Sequence, residues 1–273
     1  MGVLKRIEQL TKVINQANFD YHTLDNPTIS DYEYDMFLKE LIDLEEKYPQ
    51  YKQPNSPTLK VGGLILDSFE KVNHQVPMMS LGNVFNVFEL EQFYQRIVKE
   101  LPNFDLITEL KIDGLAISVI YEKGNFKQAL TRGDGQVGED VSENVKTIKS
   151  LPLVLNQEVD VTVRGEIYLP RNNFIKLNEQ RLANNLPLFA NPRNAASGTI
   201  RQLDSKIVAK RNLDAFFYTL VNAEELGVMN QYDSLIKLKE LGFKVNPNYQ
   251  MIKDFKSLVD KIDQYANKPL CIW

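Results

Sequence analysis

Cysteine and histidine are scarce in this sequence. Its 273 residues include one cysteine, Cys271, and two histidines, His22 and His74. A single cysteine cannot form an internal disulfide, and these three side chains cannot assemble a zinc site of the usual four-ligand kind. We therefore expect no metal site built from protein side chains alone, and we expect any metal ion to arrive with a substrate.

Long apolar runs are also missing. The longest, LAISVI (115–120) and AFFYTL (215–220), are far shorter than the roughly 20 residues of a membrane helix, and the amino terminus MGVLKRIEQL lacks the apolar region of a signal peptide. The 43% of hydrophobic residues is enough for a real core. These features predict a soluble globular protein of the cytosol, without a membrane partner, which we expect to be monomeric.

A large excess of positive charge is absent as well. The formal net charge is −4, which argues against a surface that binds nucleic acid over its whole area, because phosphate binding requires clustered cations. Basic residues do cluster within one short stretch: Arg193, Arg201, Lys206, Lys210 and Arg211. This cluster is either solvated surface, as most charge runs are, or a contact for a phosphate backbone.

The first sixty residues have helical patterns. In VLKRIEQLTKVINQANFDYH (3–22) apolar residues recur three and four positions apart, which predicts an amphipathic helix: Val3, Ile7, Leu10, Val13 and Ile14. A second helix is predicted in DYEYDMFLKELIDLEEKYP (31–49), where Ser30 and Glu33 form a capping box and Pro49 ends the helix. The sequence therefore predicts a small helical hairpin domain.

A change of composition separates this hairpin from the rest. PNSPTLKVGG (54–63) is rich in proline, serine and glycine, which is typical of a linker. We place the domain boundary near residue 66, with a helical domain over 1–66 and a second domain over 67–273.

Strand patterns dominate from Leu106 onward. Helical patterns interrupt them at RNNFIKLNEQRLAN (171–184) and YDSLIKLKELG (232–242), and Gly242 is placed to cap the second helix. The alternation favours an α+β fold with mainly antiparallel sheets. The predicted strands are FDLITEL (104–110), LAISVIYE (115–122), FKQALTRG (126–133), VDVTVRGEIYLP (159–170) and LDAFFYTLV (213–221).

A lysine stands beside a predicted tight turn in ELKIDGLAISVIYEKG (109–124). The pattern predicts a hairpin around the Asp113–Gly114 pair, and strand alternation would put Glu109 and Lys111 on one face. Alone, this is a surface ion pair worth about 1 kcal/mol at most. The glycines and charges of RGDGQVGED (132–140), more than a connecting turn needs, favour a functional site instead.

Lys111-Ile112-Asp113-Gly114 resembles the K-x-D-G nucleophile motif of the covalent nucleotidyltransferases, which include DNA ligases, RNA ligases and mRNA capping enzymes. The flanking segments, in order, resemble bacterial NAD-dependent DNA ligases from the first helix to about residue 250: VPMMSLGNVF (76–85), TRGDGQVGEDVSENVKTI (131–148), VRGEIYLP (163–170) and FANPRNAASGTIRQLD (189–204). The resemblance implies a helical domain that binds nicotinamide mononucleotide (NMN), followed by a mainly antiparallel, ATP-grasp-like adenylation domain.

The resemblance also implies a reaction. Lys111 would attack the α-phosphate of NAD to form a lysine-AMP phosphoramidate, with NMN as the leaving group. A lysine amine is nucleophilic only when unprotonated, and nearby cations and partial desolvation favour that form. Mg²⁺ bound to the substrate would offset the charge of the pyrophosphate. AMP would then pass to the 5′-phosphate of nicked double-stranded DNA before the strand is sealed.

Residues around the nucleophile match the adenylate site of the same family. The resemblance implies that Glu109 contacts the adenylate, that Asp113 orients the nucleotide, and that Arg132 and Glu166 complete the adenine and ribose pocket. As an alternative, Arg132 and Glu166 are ordinary charges at a sheet edge.

Two residues upstream match further cofactor contacts of this family, Ser80 and Leu81. The alternative assigns them a structural role, with Ser80 in a turn and Leu81 in the core.

A polar and aromatic patch is predicted on the helical hairpin. Asp31, Tyr34 and Asp35 share one side of the second helix, and Tyr21 and His22 precede the same turn. Such groups suit a cationic nicotinamide ring and its ribose, although acidic residues there also complement the helix dipole. The resemblance implies an NMN site, with cofactor contacts at Tyr21, His22, Asp31, Tyr32, Glu33, Tyr34 and Asp35.

The sequence ends at YANKPLCIW, before the next motifs of the family. We expect an adenylation domain that is incomplete at its carboxyl terminus, without the lysines, the oligonucleotide-binding barrel and the zinc finger that follow in relatives. Strand sealing and DNA binding should then be weak. Two readings remain open: the adenylation region of a DNA ligase, or a remnant without catalysis that binds nucleotides or a partner. An RNA ligase or capping enzyme would leave the patch of Tyr21 to Asp35 unexplained.

Overall fold

The computed structural model describes residues 2–22, 28–61 and 68–266, apart from the side chains of Tyr21, His22, Asp31 and Val61. Its helices are α1 (Val3–His22), α2 (Asp31–Lys47), α3 (Val87–Glu100), α4 (Ser142–Val145), α5 (Arg171–Ala183), α6 (Pro192–Ile200), α7 (Ser205–Arg211), α8 (Gln231–Leu241) and α9 (Phe255–Ala266). Its strands are β1 (Lys71–Asn73), β2 (Leu106–Glu109), β3 (Leu115–Glu122), β4 (Asn125–Thr131), β5 (Val137–Glu139), β6 (Val161–Tyr168), β7 (Asp214–Leu220) and β8 (Tyr249–Ile252).

The helical pair α1 and α2 matches the predicted hairpin. Ile7, Leu10 and Ile14 of α1 are buried against Leu41 of α2, as the apolar spacing requires. Val13 is the exception: it is 40% exposed, because it directly precedes the buried Ile14 and its side chain points about 100° away from the buried side of α1. The capping box is confirmed, since the Ser30 side chain accepts from the Glu33 backbone and the Glu33 side chain accepts from the Ser30 backbone.

The segment that follows α2 is not a loose linker over its described length. A short 3-10 helix spans Pro57–Val61, and Ser56, Pro57, Thr58 and Lys60 are buried. The composition was misleading because polar side chains in this segment find buried partners instead of water. The predicted boundary near residue 66 lies outside the described residues.

Two sets of hydrogen bonds fix this segment. On one side, Thr58 Oγ1 donates to the buried carboxylate of Glu45 in α2 at 2.7 Å. On the other side, Lys60 Nζ donates to the backbone carbonyls of Ile148 at 2.8 Å and Leu151 at 2.7 Å. The segment is therefore bonded both to the helical pair and to the region that contains the sheets.

The main sheet has four antiparallel strands in the order β4-β3-β6-β7, and two-stranded sheets pair β1 with β5 and β2 with β8. One face of the main sheet forms the largest apolar core, together with helices that include α6 and α8. Gly242 ends α8 with φ of 103°, so its predicted capping role is confirmed. The prediction of a helical amino-terminal region followed by mainly antiparallel sheets in an α+β fold is confirmed.

The predicted hairpin around Asp113–Gly114 is wrong. β2 pairs with β8, while β3 pairs with β4 and β6, so the segment between β2 and β3 connects two different sheets. The short spacing suggested a local turn, whereas β2 finds its partner far along the chain. Over the residues that the structure describes, no helix has the length and apolar character needed to span a bilayer.

Candidate functional site

The two faces of β6 have opposite chemistry. Val161, Val163 and Ile167 belong to the buried core on one side of the main sheet. Arg164 and Glu166 alternate with them and therefore lie on the other side, where Ala116 of β3 is the direct partner of Glu166. Because Arg164 and Glu166 lie on this side, we call it the polar face of the sheet.

The K-x-D-G segment lies against the polar face. Ile112 is 5% exposed and belongs to a small apolar cluster with Tyr168 and Phe216, whose rings stack with centroids 5.2 Å apart. The residues on either side of Ile112, Lys111 and Asp113, are exposed. Burial of Ile112 thus anchors the segment and leaves both charged side chains at the surface, where Lys111 can meet a ligand and Asp113 pairs with Arg193 at 3.1 Å.

Gly114 brings this segment into close contact with β6. A Cβ atom built on Gly114 would lie 2.1 Å from the carbonyl oxygen of Ile167, far inside any allowed contact. The Gly114 backbone N–H donates to Glu166 Oε1 at 3.3 Å. Glycine is required here because the backbone itself packs against the strand.

The carboxylate of Glu166 interacts electrostatically with the predicted nucleophile, Lys111. Burial raises the pKa of Glu166, while the charge of Lys111 and the Gly114 N–H oppose that rise. A half-buried carboxylate that interacts with a lysine and a backbone donor is typical of a ligand site, because such a group is costly to bury without function. The structure therefore places Glu166 within electrostatic reach of Lys111, while the roles predicted for both residues stay predictions.

Tyr218 also belongs to this cluster, although the sequence did not identify it. It sits where the pairing of β6 and β7 shifts register, between the pairs Arg164–Thr219 and Gly165–Phe217. Burial raises the pKa of Tyr218 to about 12, with a further rise from the charge and hydrogen bond of Glu166. Arg132 also acts on the Tyr218 hydroxyl, so that the predicted Arg132 and Glu166 share this neighbour.

Glu109 has a partner that the sequence also missed. Gln231, the first residue of α8, donates to Glu109 Oε1 at 2.7 Å and to the Tyr218 backbone carbonyl at 2.8 Å. Because β2 ends at Glu109, Lys111 lies beyond the strand and the predicted alternation of these two residues does not apply. No local pattern could have found Gln231, since it is remote from Glu109 in sequence.

The glycines around Arg132 have a structural cause. Gly133 and Gly135 have φ of 56° and 96°, and the Gly135 N–H donates to the Arg132 carbonyl at 3.0 Å. These glycines form the tight turn between β4 and β5, so their number does not by itself indicate a ligand. Arg132 remains of interest, because its Nε atom is buried and has no hydrogen-bond partner among the described residues.

Arg164 fixes the segment that carries Ser80 and Leu81. Its Nη2 atom donates to the backbone carbonyls of Val76 at 2.7 Å and Pro77 at 3.1 Å. Ser80 is exposed and Leu81 is 78% exposed, so the alternative that assigned Leu81 to the core is wrong. The side chain of Leu81 is therefore accessible from solvent.

Part of the predicted patch on the helical pair lines a cavity of about 540 Å³. Tyr34 and Asp35 contribute to it from α2, and Lys149 and Asp214 contribute from the other side. The Tyr34 hydroxyl donates to Asn18 Oδ1 at 3.0 Å, so this ring also packs between the helices. Lys111 is not among the described residues that line this cavity.

The other residues of the predicted patch lie at the end of α1 and in the first turn of α2. Tyr32 is 74% exposed, while the Glu33 carboxylate is engaged in the capping box. Tyr21 and His22 end α1 and Asp31 begins α2, but their side chains lie outside the described part of the structure.

The basic cluster divides into two kinds of residue. Arg211 is structural, because it donates to Thr199 Oγ1 at 2.8 Å. Arg193 and Arg201 instead make exposed ion pairs with Asp113 at 3.1 Å and Glu139 at 2.7 Å. Exposed pairs contribute little to stability, so both guanidinium groups are free to exchange partners. Lys206 and Lys210 are exposed.

Two family models match this chain. The model for the NAD-dependent DNA ligase adenylation domain matches residues 66–269, and the model for the DNA ligase-like, N-terminal NAD⁺-binding domain matches residues 2–62. The chain therefore belongs to the NAD-dependent DNA ligase adenylation domain family, and the resemblance found in its motifs is confirmed.

Curated relatives are named DNA ligase. The chain is 56% identical to the DNA ligase of Acholeplasma laidlawii over 265 residues, which is 97% of this chain and 40% of the relative. It is 52% identical to the DNA ligase of Onion yellows phytoplasma, over 96% of this chain and 39% of the relative. The DNA ligase of Anoxybacillus flavithermus is also 52% identical, with coverages of 97% and 40%. The chain thus spans about 40% of the length of these relatives.

Proposed function

We propose that this chain carries out the adenylation step of an NAD-dependent DNA ligase, with Lys111 as the nucleophile. The observation that carries the proposal is the exposed Lys111 beside the half-buried Glu166 on the polar face. Membership of the adenylation domain family supplies NAD as the substrate.

The proposed step forms one bond and breaks another. The Lys111 amine attacks the α-phosphorus of NAD, and the bond from that phosphorus to the bridging oxygen of the pyrophosphate breaks. The products are a lysine-AMP phosphoramidate and NMN; the phosphoramidate nitrogen keeps one hydrogen, and the other protons of the Lys111 ammonium group pass to solvent. Lys111 must lose a proton before attack, and an approaching cation, such as Mg²⁺ on the pyrophosphate, favours that loss.

The polar face has the groups that an adenylate needs. Glu166 and Tyr218 offer an acceptor and a hydroxyl, Arg132 offers a buried donor without a partner among the described residues, and Leu81 offers apolar surface. Glu109, held by Gln231, and Asp113 complete the predicted set. A buried guanidinium N–H that lacks an acceptor is costly, and a bound nucleotide would satisfy it.

We propose that Mg²⁺ arrives with the dinucleotide and is held mainly by the phosphates of NAD, as is common for ions that keep several waters. Over the described residues no group of three or more His, Cys, Asp or Glu side chains is arranged to hold an ion.

The helical pair must move for the complete NAD site to form. Tyr34 and Asp35 line the cavity next to Lys149 and Asp214, and Lys111 does not line it. In-line transfer requires the leaving NMN to lie opposite the attacking amine. We propose that α1 and α2 swing over the polar face so that Tyr21, His22, Asp31, Tyr34 and Asp35 hold NMN, with Tyr32 and Glu33 on the same turn.

Nicked double-stranded DNA is the proposed acceptor of AMP. Arg193 is paired with Asp113 of the K-x-D-G segment, and Arg201 is paired with Glu139; exposed ion pairs of this kind can be exchanged for contacts with phosphates. Because relatives are much longer, we expect this chain alone to bind DNA weakly and to seal nicks poorly.

The test is incubation with Mg²⁺ and NAD labelled in the AMP moiety, followed by denaturing gel electrophoresis. We expect label on the wild-type chain and at least a thousandfold less on Lys111→Ala, since nucleophile loss removes the covalent path. Arg96→Ala, on the exposed part of α3, is the matched control and should label normally.

Three results would contradict parts of the proposal. Equal labelling of wild type and Lys111→Ala would exclude Lys111 as the nucleophile. NAD binding by a folded wild-type chain that never retains label would instead identify a nucleotide-binding module without catalysis. Labelling by ATP but not by NAD would refute the role assigned to the helical pair.

A further inference from the structure

We propose that a second cavity, between α1 and the loop 149–156, binds a small phosphate-bearing anion such as inorganic phosphate. The cavity has a volume of about 220 Å³. Lys12 reaches it from α1, Lys60 from the segment after α2, and Lys149 from the loop. The inference does not depend on the adenylation reaction.

The charge of the cavity favours an anion. Three lysines contribute to its lining, and none of the described residues that line it is acidic. The whole chain has a formal net charge of −4, so this local excess of cations runs against the average of the surface. The charge of Lys149 acts on Lys60, and a bound anion would offset this repulsion between like charges.

Lys60 is the least usual of the three lysines. It is 6% exposed, and its two hydrogen-bond acceptors are neutral carbonyl groups of Ile148 and Leu151. Burial lowers the pKa of Lys60 to about 7, and the charge of Lys149 adds to the effect. A charged ammonium carries three protons, so two carbonyls leave one donor for a further acceptor.

Neutral donors complete the lining. Asn18 is 6% exposed, and its Nδ2 atom has no hydrogen-bond acceptor among the described residues, while its Oδ1 accepts from Tyr34. Asn15 adds a second amide to the same cavity, whereas the Ser150 hydroxyl, which also lines it, already donates to Asp214 Oδ1 at 2.5 Å. Phosphate oxygens accept hydrogen bonds from ammonium, amide and hydroxyl groups alike, so this donor set suits them.

The volume favours a small anion over a nucleic-acid backbone. A concave space of about 220 Å³ can hold a phosphate with a few waters, whereas a duplex needs an open surface. Because the walls come from both the helical pair and the sheet region, a bound phosphate would bridge them. The site would thus favour the arrangement of α1 described here.

The experiment is isothermal titration of the 273-residue chain with potassium phosphate, against potassium chloride at matched ionic strength. We expect one phosphate per chain and at least tenfold weaker binding by the double variant Lys12→Ala/Lys149→Ala. Lys5→Ala/Lys176→Ala is the matched control: it removes the same charge from exposed lysines outside the cavity and should bind within twofold of wild type.

Several results would overturn the proposal. Wild-type affinity in Lys12→Ala/Lys149→Ala would do so, as would equal heats from phosphate and chloride. A short nicked duplex serves as the second titrant: if the double variant loses duplex binding while free phosphate never binds the wild type, the lysines contact a DNA backbone instead. Each titration is repeated with the single variants Lys12→Ala and Lys149→Ala. Circular dichroism is used to check that every variant is folded.

Discussion

The two faces of the main sheet use the same strands for different purposes. On the core face, Ile117, Val119 and Val163 are fully buried and apolar. On the polar face, Arg164 and Glu166 lie half-buried beside Tyr218, and charge and hydrogen bonding take the place of apolar packing. Strand alternation therefore gives one short sequence both a stabilising side and a chemical side, and substitutions should separate the two.

The largest effect on stability is expected on the core face. Ile117→Ala removes a side chain that is 0% exposed and should lower the free energy of unfolding by about 2–5 kcal/mol. Urea unfolding followed by circular dichroism measures the loss. Labelling by NAD per folded molecule should be nearly unchanged. Loss of labelling with normal stability would contradict the assignment of stability to the core face and chemistry to the polar face.

Gly114→Ala tests whether close packing of the K-x-D-G segment on β6 positions Lys111. Its Cβ would lie 2.1 Å from the Ile167 carbonyl oxygen, so the K-x-D-G segment must shift away from β6. Because a displacement of about 1 Å can cost roughly a hundredfold in rate, we expect a loss of that size in lysine-AMP formation. Single-turnover labelling measures it, with Gly2→Ala, which has open space around it, as the control. A normal rate would mean that the close approach has no role in positioning Lys111.

Glu166→Gln should separate binding from stability on the polar face. Removal of the charge should weaken NAD binding about tenfold, as expected for a hydrogen bond to a charged group. Burial raises the pKa of Glu166 above its ordinary value of 4.5, so the folded chain holds this proton more tightly than the unfolded chain does. The contribution of Glu166 to stability is thus present below pH 4.5 and is lost as the pH rises through the raised folded pKa.

Glu166→Gln should therefore be at least as stable as wild type at pH 7, and the fall in stability above pH 4.5 should be smaller in the variant. Thermal unfolding from pH 4 to 8 without ligand measures both. A variant that is less stable at pH 7 would show that the carboxylate helps to hold the sheet.

Gln231→Ala is expected to have the smallest effect. Gln231 orients Glu109 through one hydrogen bond at 2.7 Å, and its loss should raise the KM for NAD about two- to fivefold with little change in kcat. Gln231→Glu, which places a second carboxylate against Glu109, should be worse than alanine. If both variants equal wild type, Gln231 has no positioning role.

Local pattern predicted much of this fold. The spacing of Ile7, Leu10 and Ile14 gave the first helix, and the capping box at Ser30 gave the start of the second. The K-x-D-G motif led to Lys111 because it is contiguous in sequence. These features depend on neighbouring residues, which is why a sequence without a structure can reveal them.

Long-range features could not be predicted in this way. The pairing of β2 with β8, the bulge that presents Tyr218 and the contact of Gln231 with Glu109 all join distant parts of the chain. The burial of Lys60 was hidden for the same reason, since its acceptors belong to Ile148 and Leu151. A polar segment looks like a linker until its partners are known.

The buried segment before residue 61 changes what counts as a separate folding unit. A fragment that began after Val61 would keep every strand of the sheets, yet it would lack the ammonium group that serves the carbonyls of Ile148 and Leu151. Those carbonyls would then open to water, together with apolar surface that Leu59 covers. Leu59 and Lys60 therefore form part of the interior of the sheet region. A domain boundary chosen from sequence composition alone would separate residues that are buried together.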